Sequence, residues 1–179
     1  MPRKTNIFIW RLRLNRLPTI DNLNYRGIVT PDALCPACKS YPDSAKHIFL
    51  ECSTAKEVMA RLACRWNKLP DLSNCTGVED LISGRRDTSL SKTDVIKYEV
   101  IIRAYLWTIW NNMNDICFNN TVKTIPILVS EILGTVFYGL VLEAICLKIC
   151  LWRTCCNFVP ALSSFSLELA VVLVMNLCC

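Results

Sequence analysis

The chain has 179 residues, 53% of them hydrophobic, with only 5 glycines and a net charge of +5. That length suits one ordinary domain, or a small module with a helical remainder, and the apolar content excludes wholesale disorder. No P-loop and no His-Glu-x-x-His stands anywhere in it, so neither nucleotide hydrolysis nor a zinc-protease centre is indicated.

The 12 cysteines would fit a disulfide scaffold in a secreted protein. The N-terminus argues otherwise. The apolar run Ile7 to Trp10 is too short for a signal-peptide core, and Arg11 and Arg13 break the apolar character directly after it. The expected compartment is therefore reducing, nucleus or cytoplasm, where thiols stay free to hold metal.

In chain order, Ile7, Trp10, Leu14 and Leu17 recur at helical spacing and predict a helix over 6–17, ended by Pro18. Thr19 can cap a second short helix through Tyr25, with Gly27 placed to stop it. Before residue 31 the charges are Arg3, Lys4, Arg11, Arg13, Arg16 and Arg26 against Asp21 alone. Such a basic excess suits an anionic partner such as nucleic acid, or else forms the solvated face of the N-terminal helix.

The most informative stretch comes next. Cys35-Pro36-Ala37-Cys38, His47 and Cys52 read C-x2-C-x8-H-x4-C and include the single histidine of the chain. Three thiolates and an imidazole are a complete tetrahedral set for Zn²⁺, leaving no open position for substrate, so the site would organise a fold rather than catalyse. The alternative is that these cysteines are small buried hydrophobes. The loop from Lys39 to Lys46 is polar and turn-like. Ile48-Phe49-Leu50 could form one arm of a small hairpin. Thr54-x-x-Glu57 is a candidate capping box for a helix over 54–66, with Val58, Leu62 and Trp66 on one face. Cys52 would then precede a helix N-terminus, where a thiolate is favoured.

Residues 67–93 are polar and rich in turn formers such as Pro70, Gly77 and Gly84, and read as a linker. From Asp94 to about Phe118 a long amphipathic helix is expected, its stripe made of Val95, Tyr98, Ile102, Tyr105, Ile109, Met113 and Ile116. Residues 125–147 and 161–179 are apolar enough in length to suggest membrane spans, but Glu131, Glu143 and Glu168 make spanning costly. Cys146, Cys150, Cys155 and Cys156 read as core. The expected fold is mainly α with a small zinc-binding loop or hairpin module over 1–66, a linker over 67–93, a helix over 94–120, and a poorly defined apolar C-terminal tail over 121–179.

Trp10, Arg16-Leu17-Pro18-Thr19, Asp21-Asn22-Leu23, Arg26-Gly27-Ile28, Cys35-Pro36-x-Cys38, His47-Ile48-Phe49-Leu50-Glu51-Cys52 and Ala55-x-x-Val58 stand in a familiar order. Over about residues 6–66 the chain resembles the zinc-binding domain that lies downstream of the polymerase in plant non-LTR (LINE-type) retrotransposons. The segment Leu106 to Phe118 is similar to the tryptophan-rich segment further along in that family, with Met113 where arginine is usual. The resemblance implies Zn²⁺ on Cys35, Cys38, His47 and Cys52, an element-encoded origin, and no polymerase activity. Reverse transcription needs paired palm aspartates, and no Asp-Asp pair exists in the chain.

The expected partners are RNA or DNA and a reverse transcriptase polymerase domain, not a membrane. Zinc knuckles bind single strands by stacking bases on aromatics beside basic residues. The candidates here are Tyr41 and Phe49 for stacking, and Arg11, Arg13, Arg16, Arg26, Lys39 and Lys46 for phosphate. A second reading is a structural interaction module folded by zinc, with Trp10, Trp66 and Trp107 facing a partner protein. On either reading, Cys38→Ser is expected to unfold roughly residues 30–66 without necessarily melting the helix over 94–118.

Overall fold

The computed structural model describes residues 3–29, 33–84 and 90–154, and for the last of these the side chains up to residue 140. It is mostly helical, and among the described residues there is no strand beyond one isolated antiparallel bridge, Leu34 to Pro42. Six α-helices succeed one another among those residues: α1 (Arg3–Arg13), α2 (Ile20–Tyr25), α3 (Ser53–Ala63), α4 (Val78–Ser83), α5 (Lys92–Asn119) and α6 (Ile125–Thr154). A π-helical turn, His47–Glu51, precedes α3, and a 3-10 turn, Leu72–Asn74, precedes α4.

Helix α1 starts and stops earlier than the periodicity suggests. Its last turn carries Arg11 and Arg13, the charge sign that the helix dipole favours there. Asn15 then takes a left-handed conformation (φ 49°). Its N–H bonds to Leu12 O (3.0 Å) and that of Arg16 to Arg11 O (2.8 Å), which closes a Schellman cap ahead of the proline. The buried face is Thr5, Phe8, Ile9 and Leu12, whereas Ile7, Trp10 and Leu14 are exposed. Of the expected stripe only Leu17 is in the core. Phe8 decides the rotation, because its ring meets Phe49, Trp107 and Trp110 at centroid distances of 6.2, 5.4 and 6.1 Å.

Helix α2 begins after Thr19, as expected, although the threonine hydroxyl bonds to the Asp21 carboxylate and not to a backbone amide. Gly27 supplies the left-handed residue at its end (φ 79°). Gly27 N–H bonds to Asn24 O (2.9 Å) and Ile28 N–H to Leu23 O (3.0 Å), a second Schellman cap. Asn22, buried, donates to Leu17 O and to Asn15 Oδ1, both at 3.0 Å, and so fixes the turn between α1 and α2.

Helix α5 forms the axis of the molecule. Ser91 caps it by accepting from Asp94 N–H (3.1 Å), and left-handed Asn120 (φ 50°) ends it. It is buried more widely than one stripe would give: Val100, Ile101, Ala104, Leu106 and Thr108 join Tyr98, Ile102, Tyr105, Ile109 and Met113, while Val95 is exposed. A helix buried on more than one side lies between other layers. Around it pack α1, the π turn, α4 and α6, the last of which buries Leu128, Val129, Ile132, Val136 and Leu140.

Two segments depart from the domain division drawn from sequence. Residues 67–84 are not a bare linker, since Leu69, Leu72 and Leu81 belong to the common core and Tyr98 donates its hydroxyl hydrogen to Leu81 O (2.9 Å). Residues 125–140, the start of the stretch whose fold the sequence left undefined, form a packed helix, tied at its start by Lys123, which pairs with Asp115 (3.1 Å) and Glu131 (2.9 Å). Among the described residues no helix is long and apolar enough to cross a membrane. The apolar stretch 161–179, Cys155 and Cys156, and the side chains of Glu143, Cys146 and Cys150 lie outside the described residues.

Candidate metal centre

The loop over 33–43 is closed by backbone bonds before any side chain is considered. Cys35 N–H bonds to Tyr41 O (2.7 Å), Asp43 N–H to Ala33 O (3.0 Å) and Lys39 N–H to Cys35 O (2.8 Å). The tight return requires Lys39 in the left-handed region (φ 55°), a conformation that disfavours any residue with a Cβ. Ser40 Oγ donates to Cys38 O (2.8 Å) and holds the end of the turn. Pro36, with its fixed φ, lies between the two cysteines. Both sulfurs thus face one side of a rigid knuckle.

The second pair of ligands depends on the π turn. An α-helix advances about 100° per residue, which would put Cys52 roughly 140° round from His47. The wider turn, with Cys52 N–H on His47 O (2.8 Å), brings imidazole and thiol back toward one side. The expected hairpin arm Ile48-Phe49-Leu50 is therefore helical, and all three residues are buried. Ser44 caps this turn by accepting from His47 N–H (3.1 Å). Cys52 is itself the N-cap of α3, and the Thr54 cap expected from sequence is not used.

The four groups converge. The sulfurs of Cys35 and Cys52 are 3.9 Å apart, Cys38 Sγ lies 3.2 Å from His47 Nε2, and all four ligand atoms lie within 4.8 Å of one another. Two thiolates about 2.3 Å from one ion at the tetrahedral angle stand about 3.8 Å apart, so the donor set fits a four-coordinate ion. Cys35, His47 and Cys52 are buried and Cys38 is half-buried. The Cys52 thiol is pushed down, first by its hydrogen bond with Cys35 and then by the Thr54 and Ala55 N–H groups at the start of α3, against the cost of burial. Cys35 is pushed up, because it keeps the proton the two sulfurs share and is desolvated. A cation at the centre of the four would release that proton.

The remaining candidates divide. Tyr41 is 62% exposed and its ring leans over His47, centroids 5.4 Å apart. Phe49 is fully buried against Phe8, so its ring offers no face to a base; this corrects the stacking role expected of it. Arg13 is paired with Glu79 (3.3 Å) and Lys46 with Glu51 (3.0 Å). Arg11, Arg16, Arg26 and Lys39 are exposed and make no ion pair among the described residues. Hydrogen bonds link their segments: Asn15, beside Arg16, to Asn22 on α2 (3.0 Å), and Asp21 N–H on α2 to Asp43 O in the knuckle (3.2 Å).

Asp43 escaped the reading of the sequence. It is buried and its Oδ1 has no partner among the described residues, while burial, then the neighbouring Asp21, push its carboxyl up to about 6. The Ile20 N–H and the charge of His47 act the other way. In sequence it is one polar residue in a polar loop, and only the closing of 33–43 onto α2 buries it.

No curated protein and no solved structure matches the chain. Residues 1–58 match the family model described as zinc-binding in reverse transcriptase, a span that holds α1, α2 and all four ligand residues, and this match supports a reverse transcriptase zinc-binding domain there.

Proposed function

We propose that Cys35, Cys38, His47 and Cys52 hold a structural Zn²⁺, and that the module it folds binds single-stranded nucleic acid for a reverse transcriptase without itself catalysing. Three thiolates and an imidazole in a closed tetrahedron suit zinc and leave no coordination site for chemistry. The observation that carries the nucleic-acid role is Tyr41, an exposed ring braced against the ligand His47. The cations Lys39, Arg16 and Arg26 are exposed, and they stand on segments hydrogen-bonded to one another and to the knuckle that carries Tyr41. An exposed ring stacks a base of any identity, and arginines and lysines take the phosphates. The plant LINE-type element origin and a polymerase domain as partner rest on the sequence resemblance and belong to this proposal, as does a reducing nuclear or cytoplasmic site, where thiols stay free to hold metal.

The test is fluorescence anisotropy of the zinc-loaded chain with a labelled single-stranded RNA across a salt series. The expected outcome is an affinity that falls steeply with salt. Tyr41→Ala should weaken it by about 1–3 kcal/mol, the range for one base stacked on an aromatic side chain. Arg16→Ala/Arg26→Ala/Lys39→Ala should flatten the salt dependence. Binding that ignores both salt and these substitutions would overturn the proposal.

A further inference from the structure

Helix α1 has two apolar faces, and the fold uses one. At about 100° per residue, Thr5, Phe8, Ile9 and Leu12 cluster on one side, and Ile7, Trp10 and Leu14 fall within about 60° of one another on the opposite side. The first set is in the core. The second is 56%, 56% and 47% exposed, and among the tryptophans whose side chains are described only Trp10 stands out from the surface in this way. A surface helix ordinarily turns a polar face to water, so a second apolar stripe opposite the core is a surface awaiting a layer.

The rim states what that layer is. Lys4 and Arg11 flank the stripe on one side and Arg3 stands at its N-terminal end. On the other side Arg103 reaches across from α5 to Asn6 (3.0 Å), and Arg13 neutralises Glu79. Helix α1 itself carries no acidic residue. Packing α1 against α1 of a second copy would set these cations against their like, which disfavours a homodimer through this face. Nucleic acid would answer the charge, but Ile7 and Leu14 at the two ends of the stripe have no ring for a base to stack on. An aromatic flanked by aliphatics at i, i+3 and i+7 is the pattern that an apolar helix face matches.

We propose that the outer face of α1, Ile7–Trp10–Leu14 within its basic rim, docks an amphipathic helix of a partner protein whose apolar stripe is bordered by Asp and Glu. Trp10 is the anchor, filling the gap between the partner's apolar residues, and Lys4 and Arg11 set its orientation by pairing with the acidic border. This surface is separate from the knuckle around Tyr41, and it stands whether or not the chain binds nucleic acid.

A displayed library of random helix-length peptides, selected on the zinc-loaded full chain and counter-selected on its Trp10→Glu variant, tests the assignment. The expected result is enrichment of acidic peptides with apolar residues at helical spacing, whose affinity falls about tenfold or more in Trp10→Glu and again in Ile7→Glu. Both substituted residues are exposed, and unchanged circular dichroism of the variants would confirm that the fold is kept. Failure to enrich anything that Trp10→Glu discriminates, or enrichment of basic peptides, would overturn the proposal. So would a dimer in sedimentation that Trp10→Glu dissociates, which would make the occupant a second copy. Loss of single-stranded RNA binding in Ile7→Glu equal to that in Tyr41→Ala would reassign the face to nucleic acid and overturn it as well.

Discussion

Asp43 shows how a single side chain can set the pH response of the region around the metal centre. Its carboxyl is buried, one oxygen lacks a partner among the described residues, and Asp21 lies close enough to repel its charge. Its folded value is therefore raised to about 6, above the ordinary value of about 3.9 expected when unfolded. A raised acid favours the folded state when protonated, so the cost of its charge is fully present above about pH 6 and fades as pH falls toward about 4. Asp43→Asn keeps the size and the acceptor for the Ile20 N–H while removing the charge. The expected outcome is a gain of about 1–3 kcal/mol at pH 7.5 that shrinks by pH 5.5, read from urea midpoints of the zinc-loaded proteins. An equal gain at both pH values would show that the carboxylate charge is not what is costly.

At the scale of elements, the two faces of α1 make opposite predictions for neighbouring aromatics. Phe8→Ala removes a ring packed among Phe49, Trp107 and Trp110 and is expected to cost about 3–5 kcal/mol. Trp10→Ala, two positions on, takes a ring from the surface and is expected to change stability by less than about 0.5 kcal/mol. Thermal melts by circular dichroism separate the two, and equal losses would mean that Trp10 is covered. The same helix shows why the sequence was half legible. Apolar spacing of three and four announces a helix, but 7/10/14 and 8/9/12 both obey it, and nothing local chooses between them. The choice comes from Trp107 and Trp110, a hundred residues downstream. Ile48-Phe49-Leu50 posed a similar ambiguity, since a short apolar run serves a strand or a helical turn equally. The demand that His47 and Cys52 face one point resolves it, and a π turn meets that demand. Leu69, Leu72 and Leu81 sit among turn formers with no period at all, and only tertiary packing reveals that they are core.

Over the whole molecule, the ligand set was legible because its information is local: three cysteines and a histidine in one short window, at spacings that the chain's own turns enforce. The relation of that window to the rest was not, since it lies in long-range packing. Cys35 and Cys52 belong to the same continuous buried cluster as Phe8, Tyr105 and Leu128. Tyr105, completely buried in α5, donates its hydroxyl hydrogen to Phe49 O in the π turn (2.8 Å) and lies 3.3 Å from Ala55 O in α3. If the π turn and α3 lose their metal and unravel, that hydroxyl loses its acceptors in the core, at about 1–3 kcal/mol, and the apolar side of α5 opens to water. Loss of metal should therefore not stop at residue 66, as a module-plus-remainder division would have it. The expected outcome of adding a strong chelator, or of Cys38→Ser, is release of one zinc per chain with a single transition. Amide-exchange protection should fall together over 35–63 and over 98–113. Elemental mass spectrometry gives the stoichiometry and hydrogen exchange the extent. Retained protection in α5 after the metal has gone would show that the helical part is stable by itself, and that the shared core couples the two parts only weakly.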